Sequence, residues 1–480
     1  MAESIKEDPL VNEDLAVFDN IKSMPGQQRD VSSDIENQAF IKRQADYESN
    51  ARSYPRKMPF ALAQAKGIYL KDVDGNVYYD CLSGAGAIAL GHNHNVVQDA
   101  IRRELDNNLP MLTLDITTPV KEEFVKEILS CFPEEFAKDA KIQFCGPSGA
   151  DAVEAAIKLV KMATGRRTMV AFDGAYHGMT HGALSLMGNL GSKNKISGLM
   201  SDVHFFPFPY AYRSPMGLPG HESCSNYIDN ILQDDESGIP KPAGIIIEAV
   251  QGEGGKIPAP NDFMVRLRKI TKDQDIPLIV DEIQTGLGRT GKMFAFMHSG
   301  IIPDVVILSK AIGGSLPLAV VVYNKKLDTW GPGSHAGTFR GNQLGMAAGI
   351  ATIKYIRENN VVDNAARMGE LFMNNLMAVQ SETNCIGDVR GRGLMIGVEI
   401  VNPFSGVTQS GKPQRFEELS RRIQYECFTR GLIIEIGGRQ SSVLRFMPPL
   451  IVTEEQVTHI CSIFKESVKA AEAVFFISKN

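Results

Sequence analysis

Two polar residues come directly after apolar runs, and both are suited to chemistry. Asp281 follows the apolar residues 278–280, and Lys310 follows the apolar residues 305–308 after one serine. Ligands of parallel α/β proteins bind at the carboxyl ends of the strands, so both side chains are candidate site residues. A buried carboxylate there needs a cationic partner, and a desolvated lysine becomes the nucleophile that Schiff-base chemistry requires. From these residues alone, a helix N-cap for Asp281 and a surface position for Lys310 remain open.

A turn rich in glycine and serine precedes a predicted helix. Residues 144–151 read FCGPSGAD, and apolar residues follow at positions 153, 156, 157 and 160, which form one stripe of a helix. Gly165 stands where such a helix should end. The free backbone N–H groups at the start of a helix can bind a phosphate, although an ordinary cap has the same pattern. Neither the GxxxxGK[ST] loop nor the GxGxxG spacing of nucleotide sites is present.

The elements that carry these residues alternate as in a parallel α/β sheet. Short runs that are apolar at every position (169–172, 244–247, 278–280, 305–308 and 318–323) are separated by segments of helical length. Such runs are typical of strands buried on both faces. Residues 67–80 predict a hairpin around Asp74-Gly75. After residue 346 we predict helices, then strands at 394–399 and 444–448, and an amphipathic helix over 454–475.

Composition narrows the function class. The 480 residues are 43% hydrophobic and 22% charged, with a formal net charge of −6, so a global basic field for nucleic acid or anionic lipid is absent. Residues 1–40 hold nine carboxylates and three cations, which predicts an acidic, flexible N-terminal arm. The seven cysteines form no CxxC pair, and no secretory signal or run of 18 apolar residues is present. We therefore expect a cytoplasmic protein with neither a membrane span nor a metal site.

From about residue 50 to 470, the chain resembles the class III pyridoxal-phosphate aminotransferases. Five segments carry this resemblance, and they occur in the same order as in the family. These segments are residues 176–178 (YHG), 248–253 (EAVQGE), 281–291 (DEIQTGLGRTG), 309–311 (SKA) and 337–342 (GTFRGN). Within this family, residues 48–56 (ESNARSYPR) most resemble the diaminobutyrate–2-oxoglutarate aminotransferases.

The resemblance implies an α/β architecture, the fold type I of pyridoxal-phosphate-dependent transferases. A large, mostly parallel seven-stranded sheet domain sandwiched by helices is accompanied by a smaller α+β domain built from both ends of the chain. The expected boundaries are 1–40 for the arm, 41–95 and 346–480 for the small domain, and 96–345 for the large domain. A homodimer, or a dimer of such dimers, is the expected assembly.

The resemblance also implies a role for individual residues toward pyridoxal 5'-phosphate. Lys310 would bind the cofactor covalently, and Asp281 would pair with its pyridine nitrogen. Gln284 would reach the phenolic oxygen, and Tyr176 would stack on the ring with His177 beside it. The remaining expected cofactor residues bind the phosphate: Ser148, Gly149 and Ala150 from the same subunit, and Thr338 from the other subunit.

The implied reaction transfers the terminal amino group of L-2,4-diaminobutyrate to 2-oxoglutarate by a reversible ping-pong mechanism, which yields L-aspartate 4-semialdehyde and L-glutamate. Arg445 would hold the distal carboxylate of 2-oxoglutarate, a task suited to a planar guanidinium, and Glu253 would pair with Arg445 when the amine substrate is bound. Ornithine, 4-aminobutyrate or a polyamine is an alternative substrate, and a mutase or decarboxylase is an alternative reaction.

One position departs from the pattern of the ornithine and 4-aminobutyrate members. Those enzymes carry a carboxylate-binding arginine directly after the aromatic-X-Gly segment, whereas this chain has Met179. The second carboxylate contact must come from another residue, and Arg52, Tyr54 and Arg340 are the candidates. This departure weakens the ornithine and 4-aminobutyrate interpretations and is compatible with the diaminobutyrate interpretation.

Overall fold

The computed structural model describes residues 12–217 and 222–476. The helices of this part of the chain are α1 (Asn12–Leu15), α2 (Ile35–Tyr47), α3 (Tyr54–Lys57), α4 (Ser83–Gly86), α5 (Asn95–Asp106), α6 (Pro119–Ser130), α7 (Glu134–Ala137), α8 (Gly149–Thr164), α9 (His181–Ser185), α10 (Glu222–Gln233), α11 (Asn261–Asp273), α12 (Gln343–Glu358), α13 (Val361–Ser381), α14 (Glu417–Thr429) and α15 (Glu454–Phe476).

The strands of the same ranges are β1 (Leu62–Lys66), β2 (Tyr69–Asp72), β3 (Val77–Asp80), β4 (Ala140–Phe144), β5 (Met169–Phe172), β6 (Val203–Phe206), β7 (Gly244–Ile247), β8 (Val250–Gln251), β9 (Ile257–Pro258), β10 (Leu278–Asp281), β11 (Val305–Leu308), β12 (Val320–Asn324), β13 (Ile386–Arg392), β14 (Met395–Ile400), β15 (Leu432–Ile433), β16 (Glu435–Gly437) and β17 (Val443–Phe446).

The predicted seven-stranded α/β sheet is confirmed. Its strand order is β4-β12-β11-β10-β7-β5-β6, and only β12 runs antiparallel to its neighbours. Alternate residues of β7 belong to different apolar clusters, with Ile245 and Ile247 on one face and Ile246 on the other. Burial of both faces explains why these strands are apolar at every position.

A second sheet, which has four strands, combines strands from the N-terminal and C-terminal parts of the chain. The predicted hairpin is present as β2 and β3, which pair antiparallel around Asp74-Gly75, and β15 adds parallel to β3. A third sheet has the order β13-β14-β17-β16 and carries the predicted strands near 394–399 and 444–448.

Part of the acidic segment 1–40 lies against the body of the chain, and the part before residue 12 is outside the described residues. Leu15 and Phe18 are buried in the apolar core. Arg29 forms an ion pair with Asp34 at 2.6 Å and donates to the carbonyl oxygen of Phe428 at 3.2 Å. Within the described ranges, none of the helices is long and apolar enough to cross a bilayer.

The strand ends and one helix place the polar residues predicted for the site. Strands β10 and β11 are parallel neighbours, so Asp281 at the end of β10 and Lys310 just after β11 lie at the same edge of the sheet. Helix α8 begins at this edge with Ser148 as its N-cap and ends at Gly165, which has the left-handed φ of +67°. The predicted helix and its glycine terminator are therefore both present.

Candidate active site

A cavity of about 320 Å³ lies at the carboxyl edge of the seven-stranded sheet. Its lining combines the first turn of α8 with four chain segments at the ends of strands β5, β7, β10 and β11: Ser148, Gly149, Ala150, Tyr176, His177, Gly178, Met179, Glu248, Gly252, Glu253, Asp281, Ile283, Gln284, Thr285, Ser309 and Lys310. Eight of the residues predicted for the cofactor are in this set, because their strands end and α8 begins at the same edge. The volume suits a small organic molecule.

Lys310 projects into this cavity from a turn directly after β11. Its backbone has a φ of +48°, in the left-handed region that few residues other than glycine adopt. Burial lowers the pKa of Lys310, while the carboxylates of Glu253 and Asp281 partly oppose this effect. The amine is consequently easier to deprotonate than a surface lysine, as a nucleophile requires.

The carboxylate of Asp281 is held by a histidine distant in sequence. Asp281 Oδ2 lies 2.8 Å from His177 Nδ1, and Asp281 Oδ1 accepts the backbone N–H of Ile283 at 3.0 Å. The His177 side chain is fully buried, and its Nε2 has no hydrogen-bond partner among the described residues. Sequence reasoning placed His177 near the ring of the cofactor and missed its bond to Asp281.

Two buried glutamates beside this pair were not predicted as site residues. Glu248 accepts the backbone N–H groups of Tyr176 at 3.0 Å and of Gly252 at 2.8 Å, so it shapes the segment that lines the cavity. Burial raises the pKa of Glu248 to about 7, although the nearby His177 opposes the shift. Burial likewise raises the pKa of Glu282, the acid next to Asp281, to about 7.

The start of α8 has the geometry of an anion site. Ser148 Oγ caps the helix by accepting the N–H of Asp151 at 3.2 Å, and the next residues present the N–H groups that an α-helix leaves free at its start. A Cβ atom added to Gly149 would lie 2.8 Å from Ile283 Cδ1, so the Ile283 side chain, which lines the cavity, would have to shift for any larger residue. The free N–H groups fit a phosphate group at this end of the cavity.

The carboxamide of Gln284 is held by two groups. Gln284 Oε1 accepts from Lys256 Nζ at 2.7 Å, and Gln284 Nε2 donates to the carbonyl oxygen of Ala85 at 3.0 Å. Lys256 is completely buried and was not among the predicted residues. Fully buried lysines are rare in proteins. The burial of Lys256 could not be predicted, because the sequence around one lysine does not show whether its side chain is exposed.

Arg445 is paired with two carboxylates. Its guanidinium lies 2.6 Å from Glu253 Oε1 and 2.7 Å from Glu435 Oε2. Burial opposes its charge, but the two carboxylates more than offset that effect and raise the pKa of Arg445 above its usual value. The predicted pair of Arg445 and Glu253 is thus in contact, whereas Glu435 was missed.

Glu435, the second carboxylate partner of Arg445, is itself held by a tyrosine. Tyr54 Oη donates to Glu435 Oε1 at 3.2 Å, which brings the predicted Tyr54 into the Arg445 cluster. Burial raises the pKa of Tyr54, and the Glu435 carboxylate adds to the shift, so the tyrosine is neutral. Glu435 lies at the start of β16, adjacent to Arg445 of β17 in the third sheet.

Three predicted or candidate residues, Arg52, Thr338 and Arg340, belong neither to the cavity lining nor to the Arg445 cluster. Arg52 Nη1 donates to the carbonyl oxygens of Glu48 at 3.0 Å and Ser49 at 2.8 Å, within its own loop. Thr338 is on an exposed loop, and Arg340 pairs with Asp115 at 2.6 Å. Met179 does line the cavity, with 55% of its surface exposed.

The chain belongs to the class III aminotransferases, because residues 51–468 match the family model described as aminotransferase class-III. The cofactor of this family is pyridoxal 5'-phosphate. The residues fit this group: a helix start can bind its phosphate, a buried carboxylate faces the same cavity, and a lysine amine projects into it.

Curated relatives and solved structures resemble the chain over most of its length. A diaminobutyrate–2-oxoglutarate aminotransferase of Rhizobium meliloti is 52% identical over 90% of this chain and 92% of its own. A protein with the same name from Haemophilus influenzae is 49% identical over 90% of this chain and 95% of its own. An amine transaminase structure from an uncultivated Pseudomonas species, in a PLP-bound form, is 26% identical and has a TM-score of 0.78 over 88% of this chain and 98% of its own. A transaminase of the marine bacterium Virgibacillus, 23% identical, has the same fold with a TM-score of 0.82 over 91% of this chain and 100% of its own.

Proposed function

We propose that this chain transfers the terminal amino group of L-2,4-diaminobutyrate to 2-oxoglutarate, reversibly and by a ping-pong mechanism. The products are L-aspartate 4-semialdehyde and L-glutamate. The observation that carries the proposal is the Arg445 cluster beside the cavity with Lys310 and Asp281, because it offers a cation that a neighbouring carboxylate can mask. The names of the two relatives that are 52% and 49% identical support the same substrates.

The residues around the cavity have distinct roles toward the cofactor. Lys310 Nζ would bind the aldehyde carbon, and the Asp281 carboxylate, oriented by His177, would hold a proton at the ring nitrogen. Gln284 would donate to the phenolic oxygen, and Tyr176 would cover the ring. Ser148, Gly149 and Ala150 would bind the phosphate at the start of α8. Bound pyridoxal phosphate supplies a conjugated system that accepts the electron pair of the broken C–H bond.

Lys310 also acts as the acid and base of the reaction. When its amine is free, Lys310 Nζ would take up and release the proton that the reaction moves at the substrate carbon carrying the amino group. The lowered pKa of Lys310 leaves more of the amine able to accept that proton.

Two substrates of different charge must share the pocket, and Glu253 allows this. The amine substrate carries two ammonium groups, so Arg445 is best masked by Glu253 while it binds. A dicarboxylate needs Arg445 unmasked, and Glu253, with 37% of its side chain exposed, has room to turn toward solvent. Glu435, which is only 5% exposed, stays in place beside Tyr54.

The same proposal covers the assembly and the location of the protein. A homodimer would let the exposed Thr338 reach the cofactor phosphate of the other subunit, a position it does not have toward its own cavity. The seven cysteines are all buried and free, which supports the reducing environment of the cytoplasm.

A half-reaction screen tests the function. The cofactor-loaded protein is mixed with one amine at a time, and conversion to pyridoxamine phosphate is followed by the visible absorbance of the bound cofactor. We expect diaminobutyrate to react fastest. Faster conversion by ornithine, 4-aminobutyrate or a polyamine would overturn the proposed substrate while leaving the aminotransferase class intact.

A further inference from the structure

Lys256 is a buried lysine that the reaction described above does not use. It lies between β8 and β9, its side chain is 0% exposed, and its φ of +56° is in the left-handed region. Removing an ammonium group from water is unfavourable, and a positive φ is strained for any residue with a side chain. Two unfavourable features at one position next to a functional cavity indicate a specific task.

The contacts of Lys256 identify that task. Its Nζ donates to Gln284 Oε1 at 2.7 Å and lies 3.1 Å from Met447 Sδ. The Nε2 of Gln284 faces the carbonyl oxygen of Ala85, which can only accept. Both partners therefore require the same orientation of the carboxamide, and a flipped amide would set its oxygen against the oxygen of Ala85.

The charges around Lys256 do not remove its ability to donate. Burial and the guanidinium of Arg445 lower the pKa of Lys256 well below its usual value, and Lys310 acts in the same direction, while Glu253 and Glu435 oppose it. A neutral amine keeps two N–H groups and an ammonium has three, so Lys256 donates to Gln284 in either state.

We propose that Lys256 is a positioning residue that fixes the carboxamide of Gln284 so that one amide N–H is directed to the phenolic oxygen of bound pyridoxal phosphate. The oxygen of Gln284 and its other N–H are already used by Lys256 and Ala85, so a single donor group is left for the cavity that Gln284 lines. This inference rests on the cofactor position given under the proposed function.

The orientation has a measurable consequence. A donor at the phenolic oxygen stabilises its negative charge and so lowers the pH at which the proton between that oxygen and the Lys310 nitrogen is lost. Hydrogen bonds to charged oxygens are stronger than neutral ones. Without the donor, we expect the midpoint of the pH titration of visible absorbance to rise by about one pH unit, a tenfold change in proton affinity.

The test is a double-mutant cycle followed by absorbance rather than by turnover. Lys256→Met removes the donor and keeps the length of the side chain, and Gln284→Leu removes the carboxamide. Each variant should raise the midpoint by about one pH unit, and the double variant should rise no further than either single one. An unchanged midpoint in Lys256→Met, or shifts that add in the double variant, would show that Lys256 does not act through Gln284.

A second variant keeps the inference testable if Lys256→Met does not fold. A Cβ atom at Gly252 would lie 2.2 Å from Gln284 Oε1, so Gly252→Ala should push the carboxamide away from Lys256 and raise the midpoint as well. An unchanged midpoint in Gly252→Ala would overturn the inference.

Met447→Leu is the matched control, because it removes the other neighbour of Lys256 Nζ and leaves the bond to Gln284. It should leave the midpoint unchanged, and a rise equal to that of Lys256→Met would overturn the inference. Failure of the unaltered protein to convert any amine in the half-reaction screen would contradict the proposed function instead, so the two failures are distinguishable.

Discussion

Replacing Glu253 with glutamine separates the two half-reactions of the proposed function. The substitution keeps the size of the side chain and removes the negative charge that lies 2.6 Å from Arg445. Arg445 then keeps only Glu435 as an anionic partner in the state that binds the amine substrate, and its less compensated charge repels the ammonium groups of diaminobutyrate. The 2-oxoglutarate half-reaction already requires Glu253 to leave, so it loses nothing.

The structure sets the size of the effect. Burial raises the pKa of Glu253, but the Arg445 charge and hydrogen bond outweigh it and lower the pKa from its usual 4.5 to about 2. At about 1.4 kcal/mol for each pKa unit, the favourable interaction is at most about 3 kcal/mol. Because 37% of the Glu253 side chain is exposed, solvent screening reduces this to about 1–2 kcal/mol, or about 5- to 30-fold in a rate or binding constant.

The assay is a rapid-mixing measurement of each half-reaction at pH 8, where Glu253 is fully ionised. For Glu253→Gln we expect kcat/KM for diaminobutyrate to fall about 5- to 30-fold and that for 2-oxoglutarate to stay the same or rise. Glu435→Gln is the matched control, because Glu435 pairs with Arg445 in both states and its loss should change both half-reactions. Equal changes of the two half-reactions in Glu253→Gln would refute the masking role.

Three further substitutions test the cofactor site and its buried acids. Lys310→Ala should still bind pyridoxal phosphate weakly but lose the covalent link, and visible absorbance that borohydride still fixes to the protein would contradict this role. Gly149→Ala places a Cβ atom 2.8 Å from Ile283 Cδ1 and should weaken cofactor binding about tenfold in an equilibrium titration. Gly331→Ala, whose Cβ would meet nothing within 4 Å, is its control, and equal affinities of the two variants would argue against the close approach. Burial raises the pKa of Glu282 to about 7 from 4.5, so the stability due to its protonated form is complete below pH 4.5 and is lost as pH rises through 7. Glutamine does not ionise, so the free energy of unfolding of Glu282→Gln should rise relative to that of the unaltered chain by about 2–3 kcal/mol as the pH increases from 5 to 8. Urea unfolding at each pH measures this difference, and parallel pH profiles of the two proteins would contradict the raised pKa.

Local sequence patterns determined the elements and the position of the site on the sheet. The apolar runs of β5, β7 and β11 matched their strands residue for residue, because a strand buried on both faces must be apolar at every position. Asp281 and Lys310 were recognised for the same reason, since each is a charged residue at or just after the carboxyl end of such a run.

Only the tertiary structure decided which distant side chains surround these two residues. The bond of His177 to Asp281 spans 104 residues, and the bond of Tyr54 to Glu435 spans 381. Lys256 and Glu435 look like ordinary charged residues in the sequence, and their burial results from the packing of segments that are distant along the chain. Periodicity and caps report contacts within a few residues, whereas the packing of separate segments determines the partners of a buried charge.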